Sequence, residues 1–369
     1  MQAANRYDPP MSPSESPHPA IIDDPRNLGP GWLTAILQRA GHDVCVRSCR
    51  SESVGTGQMA HNERIFLDYE GERGAAPATL VGKFPSPNEE SRASGARGGY
   101  MAEVRFYTEL AEQLSIRVPH CFYGALSEDG SSFTLLLEDM APAVQGDQIA
   151  GATDDQIEAA VINLAGLHAP LWQDQRLDDV DWAPLGLDAD FAPVLEMAVQ
   201  AFIERYSARL SGETREVLRG FAAGFKSWAE SESAERTLVH GDYRLDNQLF
   251  ATSSGRVCVT TVDWQTLSTG NGGRDLAYML GNACQPEQRR KSETRMLETY
   301  RRSMMTLGVE LSLAQVRRSY RHGSFQGPFI TVLGALAVGQ TDRGDDMFMA
   351  MAERCAAQIR DLDALALFI

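Results

Sequence analysis

No feature of the sequence restricts the fold as tightly as two aspartates 21 positions apart. Asp242 stands in His240-Gly241-Asp242-Tyr243-Arg244-Leu245-Asp246-Asn247, and Asp263 stands in Val262-Asp263-Trp264-Gln265. Apolar stretches bracket both motifs. They read as strands over 237–239, 248–251 and 257–262. A polar loop followed by a hairpin carries the chain back to where it started. Asp242, Asn247 and Asp263 therefore converge on one point.

Around this island the chain divides in two. Before it, Trp32–Ala40 reads as a short helix stopped by Gly41. Val44–Arg50, Arg64–Tyr69 and Thr79–Phe84 read as strands, the last ended by Pro85. Ser91–Gly99 is rich in Gly and Ser and reads as a linker into a helix over Tyr100–Leu114. Phe122–Leu126 and Phe133–Glu138 form a hairpin pattern around Glu128-Asp129-Gly130. After Met140 helical patterns dominate. Capping boxes stand at Thr153–Gln156 and Ser312–Gln315, and longer helices are expected near 191–210 and 213–232. Everything after Asp275 reads helical. The layout is α+β: a small β-rich lobe over 21–140, then a larger, mainly helical lobe over 141–369. Five prolines in the first twenty residues predict a disordered tail over 1–20.

Phosphoryl transfer from Mg·ATP needs a carboxylate near the attacking hydroxyl, a carboxylate and a carbonyl-type ligand on magnesium, and a cation on the phosphates. Asp242 and Asn247 have the spacing of the kinase catalytic loop, H-R-D-x-x-x-x-N, and Asp263 stands where the metal-binding Asp of D-F-G would fall. Lys83, central in Thr79-Leu80-Val81-Gly82-Lys83-Phe84, can supply the cation, and Glu103 on the following helix can pair with it. The plain alternative is an exposed strand lysine and a solvated helix glutamate. An unpaired charge in an apolar strand is costly, which favours the pairing. Gly55 and Gly57, between the first two strands, could let backbone amides approach phosphates, though a hairpin turn explains them as well. Leu135–Met140 ends the small lobe; in a kinase such a segment, here with Glu138 and Met140, offers backbone groups to adenine.

Together, HGDYRLDN, VDWQ, RDLAYML and LLLEDM resemble the aminoglycoside phosphotransferase/choline kinase group of protein-kinase-like small-molecule kinases, most closely in the style of its ecdysteroid-kinase-like branch. The resemblance spans roughly residues 45–285. It implies a bilobal protein-kinase-like fold and an ATP- and Mg²⁺-dependent phosphotransferase acting on a hydroxyl. Asp242 would be the catalytic base or the orienter of the hydroxyl. Asn247 and Asp263 would bind magnesium, and Lys83, braced by Glu103, would contact the α- and β-phosphates. Asp275 would anchor the catalytic loop, His240 would hold it by hydrogen bonds, and Trp264 would pack. Arg244 and Asp246 would support the loop or face solvent, and His168 and His322 would be helix-surface or capping histidines.

Asp275 follows Asp263 by only 12 positions, and no A-P-E comes after it. The long segment that docks a peptide in protein kinases is thus absent. A small-molecule acceptor is expected, and the alternative is a non-catalytic nucleotide-binding regulator on the same fold. The net charge of −16 argues against nucleic acid or an anionic membrane as partner. Sixteen acidic and six basic residues fall in 153–235. That surplus would draw an amine-bearing acceptor, or simply keep the surface solvated. The longest apolar run, Phe329–Val338, is too short for a bilayer and reads as a buried helix. Six dispersed cysteines and no export signal predict a reducing cytoplasm, with a monomer or simple dimer as the default.

Overall fold

The computed structural model describes residues 19–55, 59–183, 186–231 and 235–369. Pro30 starts α1 (Pro30–Arg39), and Gly41 leaves it at φ +87°. Five antiparallel strands follow: β1 (Val46–Ser53), β2 (Ala60–Tyr69), β3 (Thr79–Pro85), β4 (Cys121–Leu126) and β5 (Phe133–Glu138), in the order β1-β2-β3-β5-β4. Period-two alternation sorts the β5 leucines. Leu136 packs with Leu33, Ile36 and Leu37 of α1 on one face, while Phe133, Leu135 and Leu137 join the core on the other. Lys83 lies opposite Asn62 on β2 and Leu135 on β5, inside the sheet.

The Gly/Ser-rich stretch is not a linker. It forms α2 (Glu89–Gly95), capped by the Asn88 side chain, which accepts from the Ser91 N–H at 2.9 Å, with Glu89 and Glu90 in the first turn. The single helix expected over Tyr100–Leu114 is instead α3 (Gly99–Arg105), a π turn over Phe106–Leu110 and a 3₁₀ turn over Ala111–Gln113. Phe106 in that π turn stacks on Trp264, with ring centroids 3.5 Å apart. Most of the expected tail, residues 1–18, lies outside the described residues. Pro19 and Ala20 are tied down: their carbonyls accept from the Tyr123 hydroxyl and the Trp32 indole.

The rest is helical around small β pieces. The short strand β6 (Val144–Gln145) precedes α4 (Asp154–His168), α5 (Ala192–Arg205) and α6 (Gly212–Glu230). Then come β7 (Arg236–Val239), β8 (Gln248–Ser253), β9 (Arg256–Thr261) and β10 (Ser268–Asn271). Helices α7 (Gly273–Asn282), α8 (Pro286–Thr306), α9 (Leu313–Gly323), α10 (Gln326–Ala337) and α11 (Asp342–Asp361) complete the chain. Both capping boxes form, opening α4 and α9. Strand β10 was not foreseen; it pairs with β7 and is wholly buried. The apolar run is only half sunk: α10 buries Thr331, Val332 and Ala335, leaves Phe329, Ile330 and Leu333 partly open, and exposes Leu336. Among the described residues, no helix is long and apolar enough to cross a membrane.

Candidate active site

The loop after β7 is held from below by a buried carboxylate. Asp275, on the first turn of α7, accepts from the His240 N–H at 2.7 Å and the Gly241 N–H at 2.9 Å. It also meets His168 Nε2 at 3.3 Å. Burial pushes the Asp275 carboxyl up, but the His168 hydrogen bond and charge, His240 and the Gly241 N–H outweigh it and hold it below the ordinary range. His168 is therefore not on a helix surface. It is completely buried, with Nδ1 2.7 Å from the Tyr300 hydroxyl. His322 is half-buried in the last turn of α9, bonded to Ser231 and Asn271, and burial lowers it to about 4. His240 accepts from the Asp242 N–H through Nδ1, so Nε2 carries the proton and donates to the Val262 carbonyl at 3.2 Å.

Three donors converge on the Asp242 carboxylate. The Tyr278 hydroxyl reaches Oδ1 at 2.9 Å, and Asn247 Nδ2 and Arg244 Nε reach Oδ2 at 2.9 and 3.1 Å. Arg244 is also 3.7 Å from Asp246, so it supports the loop. Burial works against its charge, but Asp242, Tyr278 and Asp246 raise its affinity for the proton. Tyr278 was not singled out beforehand, although it stands three positions after Asp275 on one helix, where the two share a face. Burial, then the Asp242 charge, pushes its hydroxyl well above the usual tyrosine range.

The Asn247 carbonyl accepts from the Val262 N–H at 3.0 Å, which ties the loop to the residue preceding Asp263. Asp263 has φ +67°, a conformation costly for a residue with a side chain. Its Oδ1 is buried with no hydrogen-bond partner and lies 3.7 Å from Lys83 Nζ, while the side chain as a whole is 41 % exposed. One carboxylate oxygen is thus fixed inward and the other faces the opening. Because Asn247 turns its amide nitrogen to Asp242, its oxygen is left as the acceptor end. An oxygen donor set of this kind suits magnesium, which takes few protein ligands and completes its shell with phosphates and water. Among the described residues no cluster of three or more His, Cys, Asp or Glu could hold a metal by itself.

Lys83 Nζ lies 2.5 Å from Glu103 Oε1 on α3. Burial depresses the Lys83 ammonium, but Glu103 and Asp263 more than compensate and raise it. Glu103 is fully buried and also accepts from Gln265 Nε2 at 3.1 Å and the Trp264 N–H at 3.4 Å. Glu103 therefore clamps the VDWQ segment to the sheet lobe. Gln265 is a second missed residue, although it lay within the motif. The structure thus brings Lys83, Glu103 and Asp263 into one cluster, joined through Val262 to the Asp242–Asn247 loop.

Gly55 follows β1 at φ +76°, where a side chain is strained. Gly57 lies outside the described residues. Glu138 pairs with Leu80, roughly 10 Å along β3 from Lys83 at about 3.3 Å per residue. Between Glu138 and Met140, Asp139 is gripped by Arg64 at 2.7 and 3.2 Å, which fixes the segment leaving the sheet.

Comparison with known proteins gives the same outline. Residues 57–304 match a family model described as "Phosphotransferase enzyme family". The solved structure of the GDP complex of wild-type aminoglycoside 2'-phosphotransferase-IIIa covers 89 % of this chain and 98 % of its own, at 17 % identity and a TM-score of 0.54. A Plasmodium vivax ethanolamine kinase covers 85 % of this chain and 83 % of its own, at 11 % identity and a TM-score of 0.50. These likenesses show an α+β, bilobal, protein-kinase-like fold. A Caenorhabditis elegans protein named "Uncharacterized oxidoreductase dhs-27" is 22 % identical over 335 residues, which is 80 % of this chain. The chain spans 40 % of the length of that curated relative.

Proposed function

This chain belongs to the phosphotransferase enzyme family, and from that premise we propose that it moves the γ-phosphoryl group of Mg·ATP onto a hydroxyl of a small molecule. The observation that carries the reading is the cluster of Lys83, Glu103 and Asp263 beside the Asp242–Asn247 loop. Asp242 accepts a hydrogen bond from the acceptor hydroxyl, aims its oxygen at phosphorus, and takes its proton as the new O–P bond forms and the bond to ADP breaks. Lys83 holds the phosphates, and Glu103 holds Lys83. Asn247 and Asp263 hold magnesium, which neutralises charge on the phosphates when bound. Glu138 and Met140 offer backbone groups to adenine, and Gly55 and Gly57 cover the phosphates. In this division residues 21–140 bind nucleotide, and 141–369 carry the catalytic loop and receive the acceptor.

The short path after Asp263 supports a small acceptor. Strand β10 and then α7 begin within ten residues, leaving no extended platform for a peptide. The oxidoreductase in the worm relative's name finds no support in this fold. Every strand pair among the described residues is antiparallel, whereas a dinucleotide crevice is built on parallel βαβ units. An ATP-consumption screen over chemically varied alcohols, amino alcohols and sugars, with the phosphorylated product identified by mass, tests the proposal. Mg·ATP binding without transfer to any compound would favour the non-catalytic regulator instead.

Tyr278 enters this reading as a positioning residue, through its 2.9 Å bond to Asp242. Tyr278→Phe is expected to lower kcat about five- to tenfold, the worth of one hydrogen bond, while KM for ATP stays unchanged. A change in KM for ATP with kcat intact would remove that role.

A further inference from the structure

One row of residues crosses the sheet lobe on the face turned to the candidate site. Lys83 stands directly opposite Asn62 on β2 and Leu135 on β5. The Val54 N–H, just past the end of β1, donates to the Asn62 carbonyl at 3.0 Å. Residues directly opposite one another in a ladder project from the same face. On that face Leu135 shares a core with Tyr100, Ala102 and Val104 of α3, and Lys83 reaches Glu103 and Asp263. Asn62 therefore projects toward the same space as Lys83, one strand further out, about 4.8 Å away.

The polar neighbours of Asn62 on β2 are paired. His61 and Glu63, on the opposite face, meet at 2.7 Å, and Glu63 also accepts from the Ser53 hydroxyl at 2.8 Å. Arg64 grips Asp139. Asn62 differs: its Oδ1 is buried with no hydrogen-bond partner. The residue as a whole is only half-buried, so the open end of its amide is the Nδ2 donor. That nitrogen lies beneath the turn after β1, where a Cβ on Gly55 would stand 3.6 Å from it. Gly55, having no side chain, leaves it uncovered. An amide is disfavoured in a strand, and its enclosed, unpaired carbonyl costs free energy. Among the described residues, no contact of that carbonyl offsets the cost.

We propose that Asn62 is a nucleotide-binding residue, donating from Nδ2 to an oxygen of the phosphates that Lys83 holds; this rests on the phosphotransferase reading. Phosphate oxygens only accept, so an ammonium and an amide N–H both suit them. The two supply different things. Lys83 brings charge, on a flexible stem and already shared between Glu103 and Asp263. Asn62 brings direction, from a short side chain fixed on the strand. The phosphates are thus held from the sheet side by Lys83 and Asn62, and from the loop side through the metal on Asn247 and Asp263. Asn62 stands away from the attacking hydroxyl and grips ground state and transition state alike. Its loss therefore appears in nucleotide affinity and not in kcat.

Calorimetric titration of the full chain with Mg·ATP, paired with urea unfolding, tests this. Asn62→Leu is expected to weaken Mg·ATP about tenfold, the worth of a hydrogen bond to a charged acceptor. The urea midpoint should stay where it is or rise, because the unpaired carbonyl leaves together with the donor. Asn62→Asp keeps the shape but puts an anion in place of the donor, and should weaken Mg·ATP further still. Mg·ATP affinity in Asn62→Leu within about twofold of the unaltered chain overturns the proposal and leaves the phosphotransferase reading standing. Unchanged affinity in Asn62→Asp does the same, since shape alone would then suffice. Affinity lost together with stability in both variants makes Asn62 a structural residue and also overturns it. Failure of Mg·ATP to bind the unaltered chain sinks the nucleotide reading and the proposal with it.

Discussion

Replacing Asp242 by Asn is expected to lower turnover about 10²- to 10⁴-fold, the usual worth of general-base assistance, with the fold and Mg·ATP binding kept. The fold should survive because the hydrogen-bond cage can adapt. Arg244 and Asn247 both donate to Oδ2, which the amide oxygen can replace. The new amide nitrogen then faces the Tyr278 hydroxyl, which now meets Oδ1 and can rotate to accept instead of donate. Asn cannot take the acceptor's proton, so the loss falls on the chemical step. Steady-state kinetics of the variant, with calorimetry for Mg·ATP, check this. Turnover near that of the unaltered chain would refute the role of Asp242. Lost nucleotide binding would mean that the cage, and not the proton, depends on the carboxylate.

The centre of the site was legible because its parts lie in short, strand-bracketed motifs. The five-position interval from Asp242 to Asn247 and the hairpin return to Asp263 are local, and local geometry survives whatever surrounds it. Lys83 and Glu103 were legible for a different reason: a charge in an apolar strand demands a partner. Contacts between distant segments were not legible. His168 is buried against Asp275, 107 residues away, and its sequence neighbours at the end of α4 carry no trace of that. Strand β10 reads Ser-Thr-Gly-Asn, without apolar alternation, and exists because β7 supplies a partner for each of its residues. Helix α2 is a simpler failure. Asn88, Glu89 and Glu90 form an ordinary helix start, and the Gly and Ser content of Ser91–Gly99 outweighed it.

Removing one member of the Lys83–Glu103 pair should cost far more stability than removing both. Glu103 is fully buried and Lys83 is 8 % exposed. Glu103→Leu leaves the ammonium with only the more distant Asp263, at 3.7 Å. Lys83→Met leaves the carboxylate with the amide of Gln265 and the Trp264 N–H. Breaking a buried pair in this way costs about 3–5 kcal/mol, whereas replacing both partners by apolar residues of similar size is often neutral or better. The double variant Lys83→Met/Glu103→Leu should therefore regain most of the loss in urea unfolding, with the slope on urea unchanged. The pH dependence has a definite sign. Lys83 binds its proton more tightly folded than unfolded, so its contribution is fully present below about pH 10.4 and fades as pH rises through the folded value. A double variant as unstable as either single one would show that the pair is not the source of the loss. Phosphoryl transfer should stay lost in the double variant even as stability returns, because no cation remains to hold the phosphates. That split would separate what the pair does for the fold from what Lys83 does for the nucleotide.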